Sequence, residues 1–413
     1  MLTALLCLLA AAPVQRQGGL APEIGPTPIP FYTGNLSVDS FMYYFGTRKE
    51  PPAPQVTAES IAQLRRISCF AVCDYLSWPL VEKEPGRWDF SLYLDNAARL
   101  RAAGIEYNVF AWLHFPPKWY RDDPDFVPYR CLEHGLPVEQ MSLWSPATRR
   151  VFREFYAHLA QAMGRDISFL RLGMPSEYGE IGYPVGMTNW LVPQEHVHPG
   201  FWCGDPYARR AFREFAMARY KTVRALNAAW GTAFGSANDI DFPSVAPDAV
   251  ARLRAPEQAP ARIRWLDFID WYNQSWTDFL VWAAGVVKQS FPGFGVPPSD
   301  HDLRPRKEII ASLGYGAEAP ATGNDQSRHI KAMRAAGLSA QTPGDIGYFA
   351  TRRVSTACAL YGVPYYTEPP GDVNRDREVQ RIWMDASNGA QVFFDYPQNL
   401  DGAGISLRST RST

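Results

Sequence analysis

The chain carries almost no net charge: 41 basic against 42 acidic residues in 413 leave a formal −1. Its Lys and Arg residues are scattered, so no basic stripe is present to hold nucleic acid or an anionic membrane surface, and a neutral partner is expected. Cysteine is sparse, six in all, and the five beyond Cys7 (Cys69, Cys73, Cys131, Cys203 and Cys358) are widely spaced. An odd set of this kind excludes a disulfide scaffold and lacks the Cys-x-x-Cys spacing of a zinc site. Buried free thiols are expected, with one bridge, Cys131 to Cys203, left open. No apolar run is long enough to span a bilayer, no internal repeat is visible, and low complexity is confined to a Pro/Gly leader.

What is present begins with a short apolar segment, Leu2 to Ala12, followed by Pro13 and a Gly- and Pro-rich stretch from Gly18 to Pro30. This pattern matches the apolar core and cleavage region of a secretory signal and predicts a secreted or periplasmic protein. The expected division is a signal segment at 1–17, a leader at 18–37 and one barrel domain over 38–413. Strand and helix patterns then alternate. Strands are expected at Val38–Gly46, Ser68–Trp78, Ile105–Leu113, a fourth running into Glu177, Gly293–Asp300, Leu338–Pro343, Val363–Glu368 and Ala390–Tyr396. Helices are expected at Val56–Ile67, Phe90–Gly104, Pro146–Gly164, Pro206–Ala229 and Ala261–Phe291. Eight strands close an α/β (β/α)8 TIM barrel with a long loop after strand four and a helical insertion. The loop from Ile181 to Gly204 is too long for a plain connector and is expected to cover a site. Only about 13 residues follow Leu400, which predicts a truncated or replaced last helix.

In such barrels function lies on the loops after the strand C-termini. Glu368 ends strand seven, and Glu177 and Glu180 follow strand four, so carboxylates should face each other across the mouth. Paired acids flanking a bond are the chemistry of glycoside hydrolysis. Sugar sites also need flat apolar faces, and Trp78, Trp112, Trp119, Trp190, Trp202 and Tyr396 stand near predicted loops, although a single tryptophan is more often core packing. Asp74, Glu82, His114, Asp300 and Asp395 fall near predicted strand ends, where they could bind hydroxyls. His196 and His198 form a His-x-His pair with no third ligand in view, so no metal or other cofactor is assigned.

Several stretches resemble glycoside hydrolase family 42, the β-galactosidase-like barrels of a large retaining clan. They are Trp78 to Phe90 after strand two, Phe115-Pro116-Pro117-Lys118-Trp119 after strand three, Leu226 to Phe234, and Glu368-Pro369-Pro370-Gly371-Asp372-Val373-Asn374. The resemblance implies that Glu368 is the nucleophile and Glu177 the acid, and it implies homo-oligomers, trimers in that family. The chain departs from the family at Ser176, where members carry Asn before the acid, the residue that holds the 2-hydroxyl. In turn, Gly179-Glu180-Ile181-Gly182-Tyr183-Pro184 resembles the acid segment of β-amylases and favours Glu180 as the more restrictive local pattern. The expected function is retaining cleavage of a β-glycosidic bond in a carbohydrate. The alternatives are an inverting, β-amylase-like hydrolase and a non-catalytic carbohydrate-binding barrel, against which the acids after both strands speak.

Overall fold

The computed structural model describes residues 29–34, 56–66, 69, 71–185, 196, 198–295, 307–314, 320–342, 347–368 and 375–395. Eight strands in it close a barrel: β1 (Ile29–Gly34), β2 (Ala71–Ser77), β3 (Glu106–Trp112), β4 (Phe169–Leu172), β5 (Glu308–Ser312), β6 (Ser339–Thr342), β7 (Tyr365–Thr367) and β8 (Val392–Asp395). Each pairs in parallel with its successor, and β8 pairs with β1. β2 is buried at every position and β3 at all but its first, as strands must be when side chains fill the barrel and helices cover its outside.

The outer helices are α1 (Ala58–Arg66), α2 (Ser91–Ala102), α3 (Pro146–Met163), α4 (Pro206–Tyr220), α5 (Val223–Trp230), α6 (Ala259–Ser290), α7 (Gln326–Ala336), α8 (Gly347–Tyr361) and α9 (Arg375–Ser387). Their limits follow from capping. Ser145 accepts the Ala147 amide with Pro146 in the first turn of α3, and Asp205 accepts the Tyr207 and Ala208 amides at the start of α4. α4 and α5 are the inserted pair, and they pack on the 32-residue α6. That helix buries Phe268, Trp271, Tyr272, Trp276 and Phe279.

Two strands depart from expectation. β1 lies within the stretch read as leader, and the expected strand Val38–Gly46 falls outside the described residues. Strand five is Glu308–Ser312, not Gly293–Asp300; Gly293 and Gly295, at φ +90° and +85°, belong to the turn that ends α6. A Gly-Phe-Gly run looks extended in sequence, but positive φ at both glycines turns the chain instead. Cys131 and Cys203 are free buried thiols, so the bridge left open between them is absent. Among the described residues, no helix is long and apolar enough to cross a membrane.

Candidate active site

β4 ends at Leu172, and the chain then bulges out before rejoining the barrel where Ile181 bridges Leu313. Ile181 N–H donates to the Ser312 carbonyl and Gly314 N–H to the Ile181 carbonyl, each at 2.9 Å. The bulge is closed by Met174 N–H on the Gly179 carbonyl (2.9 Å) and by the Ser176 hydroxyl on the Glu180 carbonyl. Gly179 has φ +75°, and a Cβ there would sit 2.9 Å from Nδ1 of His114, so only glycine fits. Glu180 therefore stands on the barrel rim, one residue before the chain regains strand pairing. Glu177 opens a 3-10 turn to Gly179; its carboxylate is outside what the structure describes.

Glu368 follows β7 and is buried. Its Oε2 accepts from Arg171 Nη2 at 2.6 Å and from the Gln341 amide, while its Oε1 accepts from the Tyr75 hydroxyl at 3.4 Å. The same Arg171 nitrogen is 3.9 Å from Oε1 of Glu180. These two carboxylate oxygens are consequently no more than 6.5 Å apart, the sum of their distances to one shared nitrogen. Arg171 is fully buried in the middle of β4, with its guanidinium 4.1 Å from the Phe110 ring centroid and a 3.0 Å bond from Nη2 to Ser312 Oγ.

Burial pushes the Glu368 pKa up, and Arg171, Gln341 and Tyr75 pull against it by stabilising the anion. For Arg171 burial disfavours the charge, but Glu368, Tyr75, Cys73 and Glu180 outweigh it and keep the guanidinium charged. Burial pushes the neighbouring Cys73 thiol up to about 12, so it stays protonated and takes no part as a nucleophile.

Trp112 and His114 join this group. The Trp112 ring lies 4.4 Å from the Tyr75 ring and 5.2 Å from the imidazole of His114. Burial pushes His114 down to about 3, and neither ring nitrogen has a hydrogen-bond partner among the described residues. The imidazole is neutral and fully buried, with Nδ1 on the Gly179 side. Arg171, Gln341 and Tyr75 are the site residues that sequence reasoning missed. The available signal was a polar side chain inside short buried strands, Phe-Leu-Arg-Leu and Ser-Ala-Gln-Thr.

Other expected residues lie elsewhere. The Asp74 carboxylate accepts from Tyr107 (2.7 Å), Asn96 of α2 (3.4 Å) and the Tyr75 amide (2.8 Å), so it links β2 to β3 and the helical layer. Strand alternation explains this, since its neighbour Tyr75 reaches Glu368. Trp78, Glu82 and Trp119 line a small pocket of about 90 Å³ with Tyr120 and Glu154. There Glu82 holds the Trp78 indole N–H at 2.6 Å and the Gly86 amide at 2.8 Å. Trp202 is buried, and its amide donates to the Tyr272 hydroxyl. Asp395 closes β8, and its side chain is not described; Trp190, Asp300 and Tyr396 lie outside the described residues. His196 and His198, without a third ligand in the sequence, meet Cys131 and His134 in the fold.

The family model described as beta-galactosidase, glycoside hydrolase family 42, matches residues 43–297, more than half of the chain. The chain belongs to glycoside hydrolase family 42. Its family match takes in Glu180 and Arg171 and stops before Glu368. The family 42 chain is 34% identical to beta-galactosidase BbgII of Bifidobacterium bifidum over 79% of its own length and 45% of that protein's. It is 25% identical to a thermophilic beta-amylase of Thermoanaerobacterium thermosulfurigenes over 58% of its length and 45% of the relative's. It therefore spans less than half of either curated relative. In fold it is similar to the catalytic domain of beta-amylase from Paenibacillus polymyxa, with TM-score 0.72 at 19% identity, covering 94% of this chain and 96% of that one.

Proposed function

We propose that this chain hydrolyses a β-glycosidic bond by a two-step retaining mechanism, with Glu180 as acid and base and Glu368 as nucleophile. One observation carries the reading: a buried arginine joins two buried carboxylates at the rim of a parallel barrel, after strands four and seven. Retaining enzymes hold their carboxyls about 5 to 5.5 Å apart, inverting ones about 6.5 to 9.5 Å. The ceiling of 6.5 Å between Glu180 Oε1 and Glu368 Oε2 is compatible with retention. Glu368 receives the closer contact with the guanidinium together with the Gln341 and Tyr75 bonds, which suits the carboxylate that must attack as an anion. Glu180 then donates its proton to the leaving oxygen and, in the second half-reaction, takes one from water. The family and the Bifidobacterium relative favour a β-galactoside.

The second reading is inversion. The Gly179 to Pro184 segment and the beta-amylase relative favour it. NMR of the first-formed anomer separates the two, and a panel of aryl glycosides identifies the sugar. Replacing Glu368 with Ala should abolish turnover of every leaving group, and azide should restore it as a glycosyl azide of inverted configuration. Replacing Glu180 with Ala should spare glycosylation by activated aryl glycosides, and azide should then give retained product. A retained azide from the Glu368 variant would reverse the two roles. Full activity in the Glu180 variant would move the acid to Glu177. Export accompanies this reading through the apolar Leu2 to Ala12 segment, and N-terminal sequencing of the mature protein tests it.

A further inference from the structure

A second concave site lies after the C-terminal ends of the strands, as the paired acids do, and shares no residue with theirs. Two short helices build it: Trp78–Val81, which follows β2, and Lys118–Arg121, which follows β3. The first turns of α3 supply the remaining side through Arg150 and Glu154. Together they form the pocket of about 90 Å³. At about 30 Å³ per water this is room for about three waters, enough for a head group of a few heavy atoms and too little to enclose a pyranose ring with its hydroxyls.

We infer that this pocket binds a compact alkylammonium group, the class of ligand that aromatic walls with a carboxylate rim recognise. The walls are Trp78, Trp88, Trp119 and Tyr120. The Trp78 indole N–H donates to the Glu82 carboxylate at 2.6 Å and the Trp119 indole N–H to the Glu82 carbonyl at 2.9 Å. Both rings therefore offer the pocket carbon and π-electron surface and no donor, and the negative face of an indole attracts a cation. Trp78 packs edge-on against Trp119 at 5.9 Å and tilted against Tyr120 at 5.1 Å, while His158 stacks on Trp88 at 4.4 Å. Neighbours thus fix the walls before a ligand arrives, which lowers the cost of binding.

The charge of the lining has the matching sign. Glu82, Asp123 and Glu154 contribute three carboxylates, and Arg150 is the one basic residue among the described lining residues. Arg150 is drawn to Asp125, outside the lining, at 2.7 Å. Glu82 is buried and locked by its bonds to Trp78 and the Gly86 amide. Asp123 is half-buried and spends one oxygen on the Asp125 amide at 2.7 Å, and Glu154 is exposed on α3. Burial pushes the Glu82 pKa up and Glu154 adds to that, so a cation between the two offsets both effects. An anion meets three carboxylates and is repelled. A sugar stacks on the same walls, but its acceptor oxygens find two indole donors spent and the guanidinium engaged.

Calorimetric titration of the full chain with choline tests this, beside the uncharged alcohol in which carbon replaces the choline nitrogen. The readout is binding, so it stands apart from glycoside hydrolysis. Choline should bind saturably and about 10-fold more tightly than the alcohol, the order of a desolvated cation–π contact. The double variant Asp123→Asn/Glu154→Gln changes only rim side chains, so Tm should hold while choline affinity falls about 10-fold. Trp119→Leu should weaken choline by at least as much. Glu59→Gln, an exposed acid on α1, should bind choline as the wild type does. The inference is overturned if choline and the alcohol bind equally, if the rim variant binds choline undiminished, or if Glu59→Gln weakens it as much. A response to a methyl glycoside that depends on Trp119, with no choline binding, would make this a sugar site and overturn it as well.

Discussion

Arg171 is the residue on which the active site turns. It is the cation shared by Glu180 and Glu368, and it is buried in a strand otherwise made of Phe169, Leu170 and Leu172. Replacing it with Met should leave a buried carboxylate without its cation, a change that costs about 3 to 5 kcal/mol. Urea unfolding at neutral pH measures that loss. Glu368 is raised by burial and held down by Arg171, so the variant should titrate higher still, and the acid-side limb of kcat/KM should move to higher pH. An unmoved limb would show that Glu368 does not set it. Glu368 and Glu180 were legible in the sequence because carboxylates directly after strand-like runs stand out. Arg171, Gln341 and Tyr75 were not, because nothing local says which face of a short strand points into the barrel.

At the level of elements, the bulge after β4 decides which acid reaches the site. Its seam is Gly179, whose positive φ and contact with His114 exclude a side chain. Gly179→Ala should introduce about 1 to 3 kcal/mol of backbone strain. Displacing Glu180 should lower kcat while the contacts of Glu368 stay intact, so a variant with lowered Tm and wild-type kcat would separate the seam from catalysis. The six strands read correctly from sequence were bounded by helices with clear periods or by glycine. The other two were missed for local reasons: β1 contains Pro30 and adjoins a proline-rich stretch, and β5 offers only Ile309, Ile310 and Ala311 as an apolar run after Glu308.

On the scale of the whole molecule, Glu308 joins β5 to β6 and β7. Fully buried, it accepts from Ser339 and from Tyr366 at 2.8 Å, and burial pushes it up to about 7 from 4.5. Between those values the folded chain keeps a proton that the unfolded chain has lost. Stability should therefore fall as pH rises through that window, by an amount on the order of 3 kcal/mol for a shift of this size. Glu308→Gln keeps a neutral partner for both hydroxyls and should remove that part of the slope. Urea unfolding at about pH 5 and about pH 8 measures it, and equal pH dependence in variant and wild type would exclude Glu308 as its source. The sequence by itself determined the alternation of strands and helices, the barrel and the two loops that carry acids, because periodicity, caps and turns depend on near neighbours. The closed sheet alone decided that Arg171 meets Glu368, 197 residues away, and that Cys131 and His134 meet His196 and His198. Those meetings depend on barrel closure and loop packing, which bring together side chains that no local pattern relates.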